Sequence, residues 1–292
     1  MTASSEESII AGSRSHARGA AAAAVLAVLL AVASVSAVAA GGSAQVLRHG
    51  PRVEKVVALT FDDGWGRSAK ERILRTLIDE KVPATFFPYA LAVRSDPAFW
   101  RRVAQAGFPI GNHSYSHPRM TDLTRHEMEW QISASRRLVE SITGVPMLRV
   151  FRPPYGRYDQ RVVDAAASQG FDTLLLWDAT AGDSGGDPDY RSVLRGATAG
   201  KNGSVVLLHT GRSVTAEALP AIIRSYRSRG FRFVTVPELI GVAERLSLTP
   251  TPTPAIAGPP VPPALLLLAA PWHASPPRRE PGPPPRSGAV AS

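Results

Sequence analysis

The chain has 292 residues, 44% of them hydrophobic and 20% charged, a balance that fits a packed core and argues against a disordered chain. With no cysteine it holds no disulfide, thiol nucleophile or cysteine-linked lipid, so any metal site must use His, Asp or Glu. The formal net charge of +9 is spread over scattered arginines, never more than a pair together, as in Arg101-Arg102. That lacks the basic clustering of a nucleic-acid groove, and no nucleic-acid partner is expected; it suits an anionic surface such as a bacterial envelope.

Residues 1–18 are polar and carry Arg14, His16 and Arg18; residues 19–40 are apolar and contain the small-x-small sequence Ala37-Val38-Ala39. This is the layout of a secretory signal. At about 1.5 Å per residue the stretch also just reaches across a hydrocarbon layer of roughly 30 Å, so an uncleaved membrane anchor is the competing reading. The alanine-rich core and the cleavage site favour removal. Either way the rest of the chain is expected to be secreted or held in the cell envelope.

After a linker at 41–52, short β-branched or aromatic runs fall at 56–60, 84–88, 109–111, 148–151, 173–177, 204–208 and 231–234. Helix-like segments separate them, at 67–80, 96–106, 124–143, 159–169, 189–199, 215–229 and 237–245. Thr124 with Glu127 has the form of a capping box, and Gly107, Gly144, Gly170 and Gly230 stand where helices should stop. Strands alternating with helices imply one α/β domain, 53–246, with a parallel sheet either closed into a barrel or open and doubly wound. From 247 to 292 the composition changes to a segment holding more than half of the chain's 26 prolines, which should be extended or disordered.

The polar residues of interest share a location. Asp62 and Asp63 follow the first run, His113 and His117 the third, and Arg152 and Tyr155 the fourth, while Asp183 lies after the fifth and His209 ends the sixth. In a parallel α/β architecture the carboxyl ends of the strands form one face, where active sites gather. His113 and His117 are four residues apart, on one side if the segment turns helically. Two carboxylates after a buried apolar strand allow one to be a hard ligand and the other a base. Together they make an open His₂Asp set with room for water and substrate. His209, emerging at the end of Val205-Val206-Leu207-Leu208, suits a proton donor.

Thr60-Phe61-Asp62-Asp63-Gly64, His113-Ser114-Tyr115-Ser116-His117, Arg152-Pro153-Pro154-Tyr155 and Leu207-Leu208-His209 resemble, in order and spacing, motifs of the polysaccharide deacetylase family, carbohydrate esterase family four. The resemblance covers about 53–242. It implies a deformed (β/α) barrel of about seven parallel strands that hydrolyses N-acetyl groups of an amino-sugar polymer, with one divalent metal ion, usually zinc. Carried over, Asp63, His113 and His117 hold the metal, Asp62 is the general base, and His209 is the acid. Tyr155 offers a backbone N–H to the oxyanion, and Arg152 and Asp183 orient base and acid. Leu207 belongs to the acetyl pocket, with Pro154 and Trp65 also on the substrate side. Three positions depart from the pattern. Trp65 replaces a usual proline and is expected to alter a groove wall. Ser184 stands for a tryptophan beside the acid, and Thr210 for a common aspartate. The eroded Asp183-Ser184 motif keeps a second reading open, a glycan-binding protein without turnover.

Overall fold

The computed structural model describes residues 43–241; the expected signal or anchor and the proline-rich tail lie outside the described residues. In chain order the elements are β1 Gln45–Leu47, β2 Val56–Asp63, α1 Arg67–Asp79, β3 Ala84–Pro88, α2 Ala90–Ser95, α3 Pro97–Gln105, α4 Arg125–Thr143 and β4 Val150–Phe151. There follow α5 Gln160–Ser168, β5 Thr173–Leu175, β6 Ala179–Thr180, α6 Tyr190–Ala197, β7 Ser204–His209, α7 Ser213–Ser228, β8 Arg232–Phe233 and α8 Val236–Ile240.

The strands form two sheets, β1-β5-β4 and β3-β2-β7-β6, with β8 on the first residues of β2, and all these strand pairs are parallel. The chain running from β5 into β6 passes from one sheet to the other. Single parallel bridges, Phe86 to Ile110 and Asn112 to Phe151, join β3 to β4 at the opposite seam. The result is the deformed (β/α) barrel that the alternating pattern and the motifs implied.

Two sequence expectations need correction. The run at 109–111 is not a strand but a bridged segment, since Pro109 has no N–H to donate and Gly111 leaves its Cβ position to the Phe87 ring. The presumed linker contains β1, and Arg52 ties its end to Asp178 at 2.7 Å. Three residues of β1, two of β6 and six of α2 are too few to show a period.

The stop and start signals act as read. Thr124 and Glu127 cap α4 reciprocally, and the helix ends on Gly144 at φ 73°, a left-handed position that favours glycine.

Alternation along the strands sorts the apolar residues into two groups. Val57, Leu59 and Phe61 of β2, with Val206 and Leu208 of β7, face the surrounding helices. Val56, Ala58, Val150, Leu175, Val205 and Val234 point the other way and fill the barrel, closed below by Leu239 of α8. The inward register of β2 continues Val56, Ala58, Thr60, Asp62, and that of β7 continues Val205, Leu207, His209. The same period that packs an apolar plug in the floor therefore delivers a carboxylate and an imidazole to the mouth.

Candidate active site

Asp62 and His209 are register partners on neighbouring parallel strands, which sets base and acid candidates side by side. Beneath them Arg152, fully buried, is the central tie. Its Nη1 donates to Asp62 Oδ1 at 2.6 Å and to Thr60 Oγ1 at 2.9 Å, and its Nε donates to the Leu175 carbonyl at 3.2 Å. The guanidinium lies 4.2 Å from the Phe87 ring centroid. Its main chain serves as well: the Arg152 carbonyl accepts from His113 Nδ1 at 2.7 Å. One residue thus orients the carboxylate with its side chain and an imidazole with its backbone.

That bond fixes His113 with its proton on Nδ1 and the Nε2 lone pair free. Nε2 of His113 and of His117 lie 3.7 and 3.4 Å from Asp63 Oδ1, and ligand atoms of the three residues all fall within 4.8 Å of one another. Burial, then the neighbouring His117, hold His113 down to about 3, so it is neutral at any physiological pH. Burial lowers His117 too, against the pull of Asp63. Two neutral imidazoles and a carboxylate with free lone pairs facing one point fit a divalent ion such as zinc.

The two histidines do not meet through a helical turn. The segment from 113 to 117 is irregular, and Ser114 and His117 take left-handed backbone at φ 68° and 62°. Asp63 at 76° and Tyr155 at 62° do the same, so four of the five non-glycine residues with positive φ among the described residues stand at this site. Each such residue costs on the order of 1–3 kcal/mol unless its surroundings hold it. Here they do. Asn112 Oδ1 accepts from Ser114 N, Ser114 Oγ from His117 N, and Gln131 Oε1 from both Tyr115 N and Ser116 N, all at 2.9–3.0 Å. Thr210 Oγ1 accepts from Gly64 N at 2.8 Å and donates to the Asp62 carbonyl, clamping the end of β2.

On the far side of the mouth, His209 Nδ1 donates to Asp183 Oδ1 at 2.7 Å. The other oxygen, Oδ2, accepts from the His209 backbone N–H at 2.9 Å and from Thr215 Oγ1 at 2.5 Å. Burial disfavours the imidazolium, but the Asp183 hydrogen bond and charge outweigh it and raise His209 to about 9. Asp183 is itself lowered; the bonds from His209 and Thr215 overcome its burial. Asp62 is raised, because burial exceeds the opposing pull of Arg152 and His209.

The structure brings every candidate from the sequence to this mouth. Pro154 is buried at the start of the short turn Pro154–Gly156. Tyr155, 57% exposed, lays its ring 4.6 Å from that of His117. Leu207 is buried, shares the inward face with His209, and belongs to neither apolar group. Trp65 lies at the rim. Sequence reasoning missed Asn112, Gln131, Thr215 and Tyr89, whose ring is 5.8 Å from His117. A polar residue in an amphipathic helix, such as Gln131 or Thr215, carries no mark of its partner. Asn112 carries no sequence signal beyond its place next to His113.

Comparison with known proteins agrees with this geometry. The family model described as polysaccharide deacetylase matches residues 49–174. A peptidoglycan-N-acetylglucosamine deacetylase of Bacillus cereus is 33% identical over 195 residues, which span 65% of this chain and 90% of that protein. The chain belongs to the polysaccharide deacetylase family. A longer family member, the peptidoglycan-N-acetylglucosamine deacetylase PgdA of Listeria monocytogenes, is 32% identical over 65% of this chain, but only 40% of its own length is matched. Among solved structures, a carbohydrate esterase family 4 pseudoenzyme from Bacillus anthracis superposes at TM-score 0.64 with 29% identity, covering 68% of this chain and 69% of that one. A variant of such a pseudoenzyme, described as having restored enzymatic activity, matches this chain at the same TM-score with 31% identity, over 68% of this chain and 72% of its own.

Proposed function

We propose that this protein is an exported, metal-dependent deacetylase that hydrolyses N-acetyl groups of an amino-sugar polysaccharide. Peptidoglycan is the first candidate because the named relatives act on it; chitin-like and poly-N-acetylglucosamine chains are the alternatives. The observation that carries the reading is the meeting, at one barrel mouth, of a His₂Asp set with neutral imidazoles, a buried carboxylate and a carboxylate-paired imidazole. The polar-then-apolar order of residues 1–40 supports export.

Asp63, His113 and His117 would hold the ion. A divalent ion there polarises an amide carbonyl, makes a water more acidic and favours the ionised form of Asp62. Asp62, held by Arg152, takes the proton of the attacking water as its oxygen bonds to the acetyl carbon. The Tyr155 backbone N–H faces the oxyanion that forms. His209, protonated at neutral pH, gives its proton to the departing nitrogen as the C–N bond breaks, leaving acetate and the sugar amine. Leu207 and the barrel wall shield the acetyl methyl from water.

The test is acetate release from a panel of acetylated polymers, with and without a chelator. Release that the chelator stops and zinc restores is the expected result. Saccharide binding with intact zinc binding and no acetate from any polymer would replace this reading with a non-catalytic glycan-binding protein. The similarity to a pseudoenzyme favours that second reading; the complete ligand set and the intact His209–Asp183 pair oppose it.

A further inference from the structure

Trp65 was expected to shape only the groove wall, but its indole reaches the candidate metal ligand. Nε1 donates to Asp63 Oδ2 at 2.9 Å, while the other oxygen, Oδ1, faces the two imidazoles. Among the described residues it is the one hydrogen-bond donor to that carboxylate. The ring is held in place from behind. A Cβ on Gly211 would fall 2.3 Å from its carbons, so the backbone of 211 is packed flat against it. The Arg212 guanidinium stands 5.6 Å from the ring, itself anchored on the Ser184 carbonyl at 2.7 Å.

The geometry points to Trp65 as a positioning residue that commits Asp63 to binding the ion through Oδ1 alone. The inference rests on the metal site proposed above. Asp63 sits on left-handed backbone at the end of a strand, so its side chain needs a local restraint. An arginine or lysine in this place would supply one, but would also cancel the negative charge that the cation needs. A neutral indole N–H fills one oxygen and leaves the charge intact. Its seat on Gly211 joins the ligand to the loop that follows His209.

Zinc affinity, measured by competition with a chromophoric chelator, tests this without reference to turnover. Trp65→Phe keeps the ring and removes the donor; it should bind zinc about tenfold to a hundredfold more weakly, with its melting curve little changed. Gly211→Ala, which pushes an intact indole off its seat, should weaken zinc binding in the same direction. Unchanged affinity in Trp65→Phe overturns the proposal. A variant that does not fold leaves the wild-type readout. In zinc-loaded protein the Trp65 indole proton should be protected from solvent exchange, and exchange as fast as in a free indole overturns the assignment. Zinc binding without acetate release by the wild type would remove the catalytic reading and leave the role of Trp65 standing. A wild type that binds no divalent ion removes both.

Discussion

His113 and His209 stand at the same mouth and are both buried, 2% and 9% exposed, yet their surroundings drive them in opposite directions. Desolvation disfavours the charged form of each. The difference lies in what Nδ1 meets. For His113 it is a backbone carbonyl, a dipole that fixes the tautomer without paying back the lost hydration, and the imidazole stays neutral down to about pH 3. For His209 it is the carboxylate of Asp183, whose full charge turns the balance and raises the imidazole to about 9. The proposed ligand and the proposed acid are thus made from one residue type at nearly equal burial. That acceptor does most to set the choice, with His117 also holding His113 neutral and Asp62 and Asp63 adding to the rise of His209.

The largest expected effect breaks the first half of this pair. His113→Ala should lose zinc binding to the detection limit, with activity falling to background, as read by metal analysis and acetate release. His209→Ala should keep zinc and lose about 10²–10⁴-fold in kcat. If both variants lose metal alike, the division into ligand and acid is wrong. Asp62→Asn should behave like the second, with metal retained and a loss of similar size. Full activity in that variant would rule Asp62 out as the base.

The halves also differed in how far they could be read beforehand. On the ligand side, position after the first apolar run marked Asp62 and Asp63, and motif spacing marked His113 and His117. The means of joining the two histidines was not legible. A helical turn was the natural expectation for a four-residue separation. The chain instead uses left-handed Ser114 and His117, in a segment held by Asn112 and by Gln131 of the helix that follows. On the acid side, Ser184 and Thr210 looked like erosion. Yet Asp183 still pairs with His209, and Thr210 has become a clamp between strand ends. Thr215 supports Asp183 from 32 positions away, a distance at which a single sequence holds no signal. Trp65 shows the same limit, for its ring was legible as a wall and its N–H was not legible as a partner of Asp63.

A smaller effect sharpens the second half of the pair. In metal-free protein the His209 imidazole should titrate near pH 9 by NMR. Asp183→Asn removes the hydrogen-bonding charge, so the same resonance should titrate well below that, in the direction burial alone dictates. In the metal-loaded enzyme the nearby cation opposes imidazolium, so the alkaline fall in kcat should come below pH 9 in the wild type and lower again in Asp183→Asn. A titration near pH 9 that survives in Asp183→Asn would assign the shift to another group.

The smallest effect is on stability, and its sign follows from linkage. His209 binds its proton more tightly folded than unfolded, about 9 against 6.5. Its contribution is therefore complete below about 6.5, declines as pH rises, and is gone above about 9. Asp183 is shifted the other way from 3.8, so its contribution is present above that value and is lost as pH falls through the lower folded one. The charged pair should be worth most between 3.8 and 6.5. In chelator, the melting temperature of the wild type should exceed that of Asp183→Asn most in this window. The gap should narrow toward pH 9 without closing, because a neutral imidazole still donates to a carboxylate. Thr215→Val, which takes one hydrogen bond from Asp183 and leaves the charge, should show a smaller gap that is nearly flat over the same range. A gap between wild type and Asp183→Asn that stays constant from pH 6 to 10 would mean that His209 is not an imidazolium in the folded protein. In that case it cannot be the acid, and the carboxylate beside it serves packing alone.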